Sequence, residues 1–557
     1  MKMKGAQIVV NCLLEQGVDT VFGYPGGQII DVYDALYEYS DKITHILSAH
    51  EQGAAHAADG YARATGKTGV VISTSGPGAT NLVTGLATAY MDSVPMVAIC
   101  GNVSLQLLGK DSFQEVDTTG ITVPITKYNF IVKDEKDIAK TLRRAFYIAQ
   151  EGRPGPVVVD ILKNAQMGIA DYEPEKPKKI VPYTDEIRKE DIKTVAEMIK
   201  ISKRPVIFAG GGTIVSNASE ELFAFAKKIG APVALSMMGL GAYPADDPYY
   251  MGMLGMHGSR LSSKALSESD LIILAGTRLS DRVIGKKTEF ANHAPVIHLD
   301  VDAAEINKNI GSSASVIGDL KVVLKDLTKK IPQGDRADWL NKIAKWKKEM
   351  PDVNENKGKI TPYHLIREVA KAMPADAIVT TDVGQHQVWT AQHYPFKKPR
   401  TFLSSGGLGT MGYGLGAAIG AKVGMPKRKV VMFTGDGSFH MNLNELATAA
   451  TYNLDILIVV LNNGVLGMVR QWQKLMFNQH YSQTTLNRKT DYVKLAEAFG
   501  GKGFNINTPE ELSEILKKVK RMKGFVILNV AIDKDVNVLP MVPPGNAYHQ
   551  QVFEIES

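Results

Sequence analysis

Residues 430–463 read VVMFTGDGSFHMNLNELATAATYNLDILIVVLNN. The apolar run Val430 to Phe433 stops at Thr434-Gly435-Asp436-Gly437-Ser438, and a second run, Ile456 to Leu461, stops at Asn462-Asn463. Asn444 to Tyr452 lies between them as a crossover. Two strands joined in this way run parallel and adjacent, so the stretch predicts an α/β fold with Asp436 and Asn463 side by side at the carboxyl edge of one sheet. That edge suits a hard cation such as Mg²⁺. Asp436 offers a charged oxygen, Asn463 a neutral one and the Val465 carbonyl a third, with the remaining positions left to water and phosphate oxygens. Gly435 and Gly437 let the backbone approach phosphates. The amides of Gly437 and Ser438 can donate at a helix start, where the dipole favours an anion. The segment is a candidate diphosphate clamp.

At 557 residues the chain exceeds one core, and roughly 150 residues per domain predicts three or four units. The hydrophobic share of 44% and charged share of 22% are those of an ordinary soluble α/β protein. The net charge of +6 comes from short, dispersed clusters (Lys176 to Lys179, Lys397 to Arg400, Lys427 to Lys429, Lys517 to Arg521), which fits solvated surface rather than a nucleic-acid patch. The two cysteines, Cys12 and Cys100, lie in apolar surroundings, which leaves no disulfide framework and no cysteine metal site. No apolar run resembles a signal-peptide core or a membrane span, so a cytoplasmic enzyme without membrane partners is expected.

Three α/β blocks separate along the chain. The expected boundaries are an N-terminal domain at 1–165, a linker at 166–190 rich in Pro and Lys, a central domain at 191–350, a C-terminal domain at 360–535 and a tail at 536–557. The chain opens with an amphipathic helix, Gly5 to Gln16. Central strands are expected at Pro205 to Ala209, Pro232 to Leu235, Leu271 to Ala275 and Val296 to Leu299. Strands alternating with long helices predict three doubly wound parallel sheets covered on both faces.

GDGS followed by NN across a βαβ unit looks like the thiamine diphosphate (ThDP) binding motif. ThDP chemistry needs a carboxylate beside the cofactor's aminopyrimidine and a bulky wedge that keeps its two rings folded together. Glu51 follows a short strand and heads the small-residue helix containing Ala54, Ala55, Ala57 and Ala58. A second glycine turn, Ser75-Gly76-Pro77-Gly78, follows the strand Gly69 to Ser73. Taken together these suggest a close-approach site for a flat ligand, with Glu51 as the activator. Met411 is the large flexible side chain in the glycine-rich run 406–414 and is the candidate wedge.

The chain resembles the catalytic (large) subunit of acetohydroxyacid synthase, also called biosynthetic acetolactate synthase, over nearly its whole length. The motifs carrying this are VFGYPGG (21–27), AHEQGAAHAADGYAR (49–63), FQEVD (113–117), ITKYNF (125–130), GRPGPVVVD (152–160), MGLGAYP (238–244), MLGMHG (253–258), VGQHQVW (383–389), GTMGYGLGAAIGA (409–421), the clamp, LGMVRQWQ (466–473) and PMVPPGN (540–546). The resemblance implies an enzyme that decarboxylates pyruvate and ligates the two-carbon unit to a second 2-oxo acid. The product is 2-acetolactate from pyruvate, or 2-aceto-2-hydroxybutyrate from 2-oxobutyrate, the first common step of branched-chain amino acid biosynthesis.

The same resemblance implies catalytic roles for Glu51, Gly27, Gln114, Lys163, Met411, Met468, Trp472 and Arg282. Trp472 would shape the acceptor pocket and Arg282 would hold the acceptor carboxylate. It implies ThDP contacts from Gln385, His386, Gly409, Leu466, Gly467 and Met468 besides the clamp residues. It also implies an FAD without net redox chemistry, held by Arg153, Gly210, Gly211, Gly212, Met237, Met238, Leu254, Gly255, Met256, His257, Gly276, Thr277, Arg278, Arg282, Asp300 and Asp319. A homodimer or tetramer is implied, with Glu51 of one subunit serving ThDP clamped by Asp436 of the other, and so is a small regulatory subunit.

Some positions depart from the family pattern. Arg278-Leu279-Ser280-Asp281-Arg282 stands where RFDDR is common, Leu162 and Asn164 replace the usual proline and aspartate beside Lys163, and Gln28 stands where a small residue is usual. Competing functions are a fermentative FAD-independent acetolactate synthase, another ThDP enzyme such as a pyruvate oxidase, a flavin-binding NAD(P) oxidoreductase, and a catalytically silent regulatory paralogue.

Overall fold

The computed structural model describes residues 1–350 and 359–554. The last three residues of the expected tail therefore lie outside the described residues. Three six-stranded sheets dominate, each entirely parallel. In the N-terminal sheet the strands run, edge to edge, Thr44–Leu47, Thr20–Gly23, Gly69–Ser73, Met96–Asn102, Pro156–Leu162 and Tyr128–Val132. In the C-terminal sheet the order is Phe402–Leu403, Ile378–Thr381, Val430–Gly435, Ile456–Asn462, Val526–Ala531 and Lys502–Ile506. Numbered within each domain, both orders are 2-1-3-4-6-5, so the first and third domains share one topology. The central sheet instead runs 3-2-1-4-5-6, the order of dinucleotide-binding folds.

Strands such as VVVDIL are apolar throughout because both faces of the sheet are covered. Val70, Ile72, Val97 and Ile99 pack on one side with the helix Gly5–Glu15, while Val71 and Ala98 pack on the other with the helix Glu51–Thr65. The expected βαβ unit forms as read. Phe433 pairs with Val459 and Gly435 with Leu461, bringing the ends of both strands to one edge. Cys12 and Cys100 are buried free thiols.

Two features differ from expectation. Residues 166–190 are not purely a linker, because Ile169–Asp171 forms a strand antiparallel to Lys2–Lys4. Three-residue strands carry too little alternation to be read from sequence. The alanine-rich helix Glu51–Thr65 does not leave its small residues open to a flat ligand. It packs along the helix Tyr413–Gly424, and a Cβ on Gly60 or Gly420 would overlap the carbonyl of Ala417 or Ala57. The small side chains serve the close approach of two backbones.

Candidate functional site

In a doubly wound sheet, ligands bind where the strand order reverses, just beyond the carboxyl ends. In the C-terminal sheet that point lies between Ile378–Thr381 and Val430–Gly435, and the loops leaving these strands carry Gln385, His386 and Asp436. Asp436 is buried at the start of the short helix Asp436–Phe439, and its Oδ1 has no hydrogen-bond partner. Burial pushes its carboxyl up to about 6, against the opposing pull of amides from Asp436, Asn463, Gly464 and Gly437. An ionised carboxylate so placed calls for a cation. Asn463 Oδ1 accepts the Val465 N–H at 3.2 Å and keeps a second lone pair for one. Among the described residues no group of three His, Cys, Asp or Glu could hold a metal. One carboxylate, one amide and a loop carbonyl match Mg²⁺, which fills its other positions from phosphate and water.

The surroundings fit a diphosphate. Burial lowers His386 to about 3, so its imidazole is neutral, and its Nε2 is buried without a partner. The ring lies so close to Gly384 and Gly435 that a Cβ on either would come within 2.9 or 3.0 Å of it. Ser438 Oγ donates to the Val383 carbonyl at 2.9 Å. The Gln385 side chain crosses Gly467, where a Cβ would overlap its Oε1, and that Oε1 accepts from Asn463 Nδ2 at 3.5 Å. Leu466 packs against the backbone of Gly437, leaving 2.6 Å for any Cβ there. Met468 is half-buried against the core, and Met411 is also half-buried, two residues after Gly409, whose φ is +75°.

At the matching reversal in the N-terminal sheet, four expected residues meet around the turn 73–78. Gly78 lies beside Glu51, and Glu51 Oε2 accepts from Asn81 Nδ2 at 2.9 Å. Gln114, with φ +59°, backs onto Gly76. Gly26 abuts Thr74, and Thr74 Oγ1 accepts the Gln28 N–H at 3.2 Å. Lys163 Nζ donates to the Gly27 carbonyl at 2.9 Å and pairs with Asp31. A Cβ on Gly27 would meet nothing within 4 Å.

A third group joins the central and C-terminal domains. The Arg282 guanidinium lies 5.4 Å from the centroid of the Trp472 ring, a cation–π distance. The Arg282 side chain is 58% exposed, and its carbonyl accepts the Met256 N–H at 2.7 Å. Its Nε approaches Asp281 Oδ2 at 3.7 Å and its Nη1 the Met256 sulfur at 3.6 Å, long contacts that a bound carboxylate could replace.

Of the proposed dinucleotide residues, Gly210 to Gly212 and Gly276 to Arg278 leave the two strands at the reversal of the central sheet, Pro205–Ala209 and Leu271–Ala275. Their glycines are accounted for in part by packing. A Cβ on Gly210 or Gly212 would crowd Gly276 at 2.5 or 2.8 Å, and Gly211 faces Met238. Arg153 pairs with Asp302 and Glu305, tying the N-terminal domain to this edge. Burial raises Asp300 to about 6 and lowers His257 to about 4. Asp319 caps the helix Leu320–Lys330 through Val322 N–H. Arg278 approaches Asp92 at 3.9 Å, Met237 begins a short 3₁₀ turn, Leu254 and Thr277 are buried, and Gly255 has φ +140°.

Several residues at these edges escaped the sequence reading. Asp382 follows an apolar strand much as Asp436 does, a signal that was present. Buried, with its carboxyl raised to about 6, it accepts from Gly414 N–H and Thr434 Oγ1 and so fixes the base of the clamp. Glu445 accepts the amides of Ala49 and His50 just before Glu51. Asp92 accepts the amides of Gly406 and Gly407, leading into Met411. Nothing local marks these last two, because their partners are hundreds of residues away.

Models of the thiamine pyrophosphate enzyme family match the chain in three segments. These are the N-terminal TPP binding domain over residues 3–121, the central domain over 192–327 and the C-terminal TPP binding domain over 382–530. The chain is 44% identical to the acetolactate synthase large subunit of Haemophilus influenzae, covering 99% of this chain and 98% of the relative. It is 46% identical to the probable acetolactate synthase large subunit of Methanocaldococcus jannaschii, covering 98% and 94%. Identity to the acetolactate synthase isozyme 2 large subunit of Escherichia coli is also 46%, covering 98% of each.

Proposed function

The chain belongs to the thiamine pyrophosphate enzyme family, among the acetolactate synthase large subunits, and from that premise we propose that it condenses two 2-oxo acids with loss of CO₂. Two pyruvates give 2-acetolactate, and pyruvate with 2-oxobutyrate gives 2-aceto-2-hydroxybutyrate, serving branched-chain amino acid biosynthesis. The Arg282–Trp472 pair carries this reading, because a decarboxylase or oxidase releasing a two-carbon product has no use for a second carboxylate site.

Bound ThDP supplies the nucleophilic carbon and the electron sink for decarboxylation. Asp436, Asn463 and the Val465 carbonyl would hold Mg²⁺ and, through it, the diphosphate, with His386 beside them. Glu51 would hydrogen-bond the ring nitrogen of the cofactor's aminopyrimidine and hold a proton at that atom. Met411 would be the bulky side chain packed against the bound cofactor. Gly27, Gln114 and Lys163 would border the reacting carbon, and Arg282 would orient the acceptor carboxylate while Trp472 limits the size of its side chain. The central domain would hold FAD, without net redox chemistry. The active unit is a homodimer or dimer of dimers, with a small regulatory subunit as partner.

The test is competition between pyruvate and 2-oxobutyrate on purified protein, with ThDP, Mg²⁺ and FAD each supplied or withheld. Both acetohydroxy acids should form, and withdrawal of any cofactor should abolish their formation. A colourless protein that makes acetolactate without FAD and ignores 2-oxobutyrate would be the fermentative type instead.

A further inference from the structure

The helix Gly467–Met476 carries Trp472 and has one buried side chain, which is polar: Gln471, 1% exposed. A leucine there would satisfy packing, whereas a buried amide costs free energy unless its hydrogen bonds are made. Gln471 makes them in two directions. Its Oε1 accepts from Gln385 Nε2 at 3.0 Å and from the Val538 N–H at 2.8 Å, and its Nε2 donates to the Val538 carbonyl at 3.1 Å. Gln385 leads to Asn463 in the clamp. Beyond Val538 the chain returns to the acceptor side: the Val542 N–H donates to the Met256 carbonyl at 2.7 Å, and the Met256 N–H donates to the Arg282 carbonyl. One amide therefore joins the clamp, the Trp472 helix and the segment that seats Arg282.

We propose that Gln471 is a positioning residue for the acceptor site, fixing the Trp472 helix against both Gln385 and the Val538 segment so that Trp472 and Arg282 keep one spacing relative to the clamp. The inference rests on the acetolactate synthase reading and adds a determinant of acceptor selectivity. Trp472 and Arg282 come from different domains, so their separation is only as fixed as the link between them. Loosening that link widens the pocket and weakens discrimination between acceptors, while the clamp keeps its own ligands and Gln385 keeps a bond to the Val536 carbonyl at 3.2 Å.

The experiment uses full-length Gln471→Leu and Gln471→Glu with ThDP, Mg²⁺ and FAD. Three quantities are read: the product ratio from a fixed pyruvate and 2-oxobutyrate mixture, the acceptor KM against kcat, and ThDP affinity by calorimetry in the presence of Mg²⁺. The product ratio is unaffected by the fraction of folded enzyme, so a merely structural loss does not move it. The selectivity should fall toward one, or the acceptor KM rise at little-changed kcat, by about threefold or more, the scale of one lost net hydrogen bond. ThDP affinity should stay within about twofold, well below the cost of losing one such bond. Wild-type ratio and KM in both variants would overturn the proposal, as would a parallel loss of ThDP affinity, which would assign Gln471 to the clamp. A wild-type protein that makes no acetolactate would instead remove the functional reading beneath it.

Discussion

Gly27 and Asp160 show how differently a single residue can be constrained. Nothing lies within 4 Å of a Cβ built on Gly27, and its φ is not positive, so folding places no demand for glycine there. The demand must come from whatever occupies the space. Gly27→Ala should leave the thermal midpoint within the spread of surface substitutions, about 0.5 kcal/mol, while cutting acetolactate formation tenfold or more, roughly the cost of displacing a substrate by a fraction of an ångström. Unchanged turnover would remove Gly27 from the site. Asp160 is the reverse case. It is enclosed in the N-terminal sheet, where it accepts from Asn102 Nδ2 at 2.6 Å, and burial pushes its carboxyl up to about 7. Between the ordinary carboxylate range and pH 7 the unfolded chain has lost this proton and the folded chain keeps it. The folded state then binds more protons, so stability falls as pH rises across that window. Asp160→Asn should raise the melting midpoint at pH 8, by roughly 1 °C per kcal/mol in a chain of this length, and change it little at pH 4. An equal shift at both pH values would show that the carboxyl is not titrating as described. Asp436 was legible because its loop has glycines on both sides and a strand before it. Gln471 was not, since its partners Gln385 and Val538 lie 86 and 67 residues away and no local pattern reports them.

At the scale of elements, strands and crossovers were legible where both faces are buried, because continuous apolar runs bounded by glycine turns leave few alternatives. The helices Glu51–Thr65 and Tyr413–Gly424 were legible as helices but not in what their small residues do. Sequence shows that a surface is low; only tertiary packing shows whether a ligand or another helix fills it. Here each helix presents glycines to the other, and Gly416 lies 2.7 Å from the His56 Cβ when given a Cβ of its own. Helix pairs of this kind separate if either gains bulk. Gly420→Val should destabilise the protein by about 3 kcal/mol or more, through overpacking against backbone that cannot yield. Gly311→Ala, at a position with open space and no positive φ, should not. Denaturant melting of the two variants separates these outcomes, and equal midpoints would show that the helix contact is not the tight one described. Because Glu51 begins one of these helices and the Met411 loop leads into the other, their packing also sets where two candidate catalytic groups sit.

At the scale of the molecule, the first and third sheets share the order 2-1-3-4-6-5, and each places its candidate residues at its own strand reversal. The N-terminal reversal holds Glu51 and Gln114, whereas the C-terminal one holds Asp436 and His386. Within one chain, the Glu51 carboxylate bonds to Asn81 of its own domain. Large apolar side chains stand open near both edges, among them Phe113 at 83%, Ile30 at 57%, Met441 at 57% and Val469 at 51% exposed. In the homodimer proposed above, these side chains would be covered by the partner, and a two-fold pairing would set one chain's N-terminal reversal against the other's C-terminal one, twice. Such an arrangement makes a sharp prediction. Glu51→Gln and Asp436→Ala should each be nearly inactive alone. Coexpressed in equal amounts, half of the dimers are mixed, and each mixed dimer combines an intact Glu51 from one chain with an intact Asp436 from the other at one of its two sites. Activity should therefore recover to about a quarter of the wild-type level, whereas sites built within single chains would recover none. Measuring acetolactate formation by the coexpressed pair, with a different affinity tag on each chain and purification over both tags to isolate mixed dimers, decides between the two; after that purification the expected level is about half of wild type. Doubly tagged mixed dimers that stay inactive would place both carboxylates in the same chain's site.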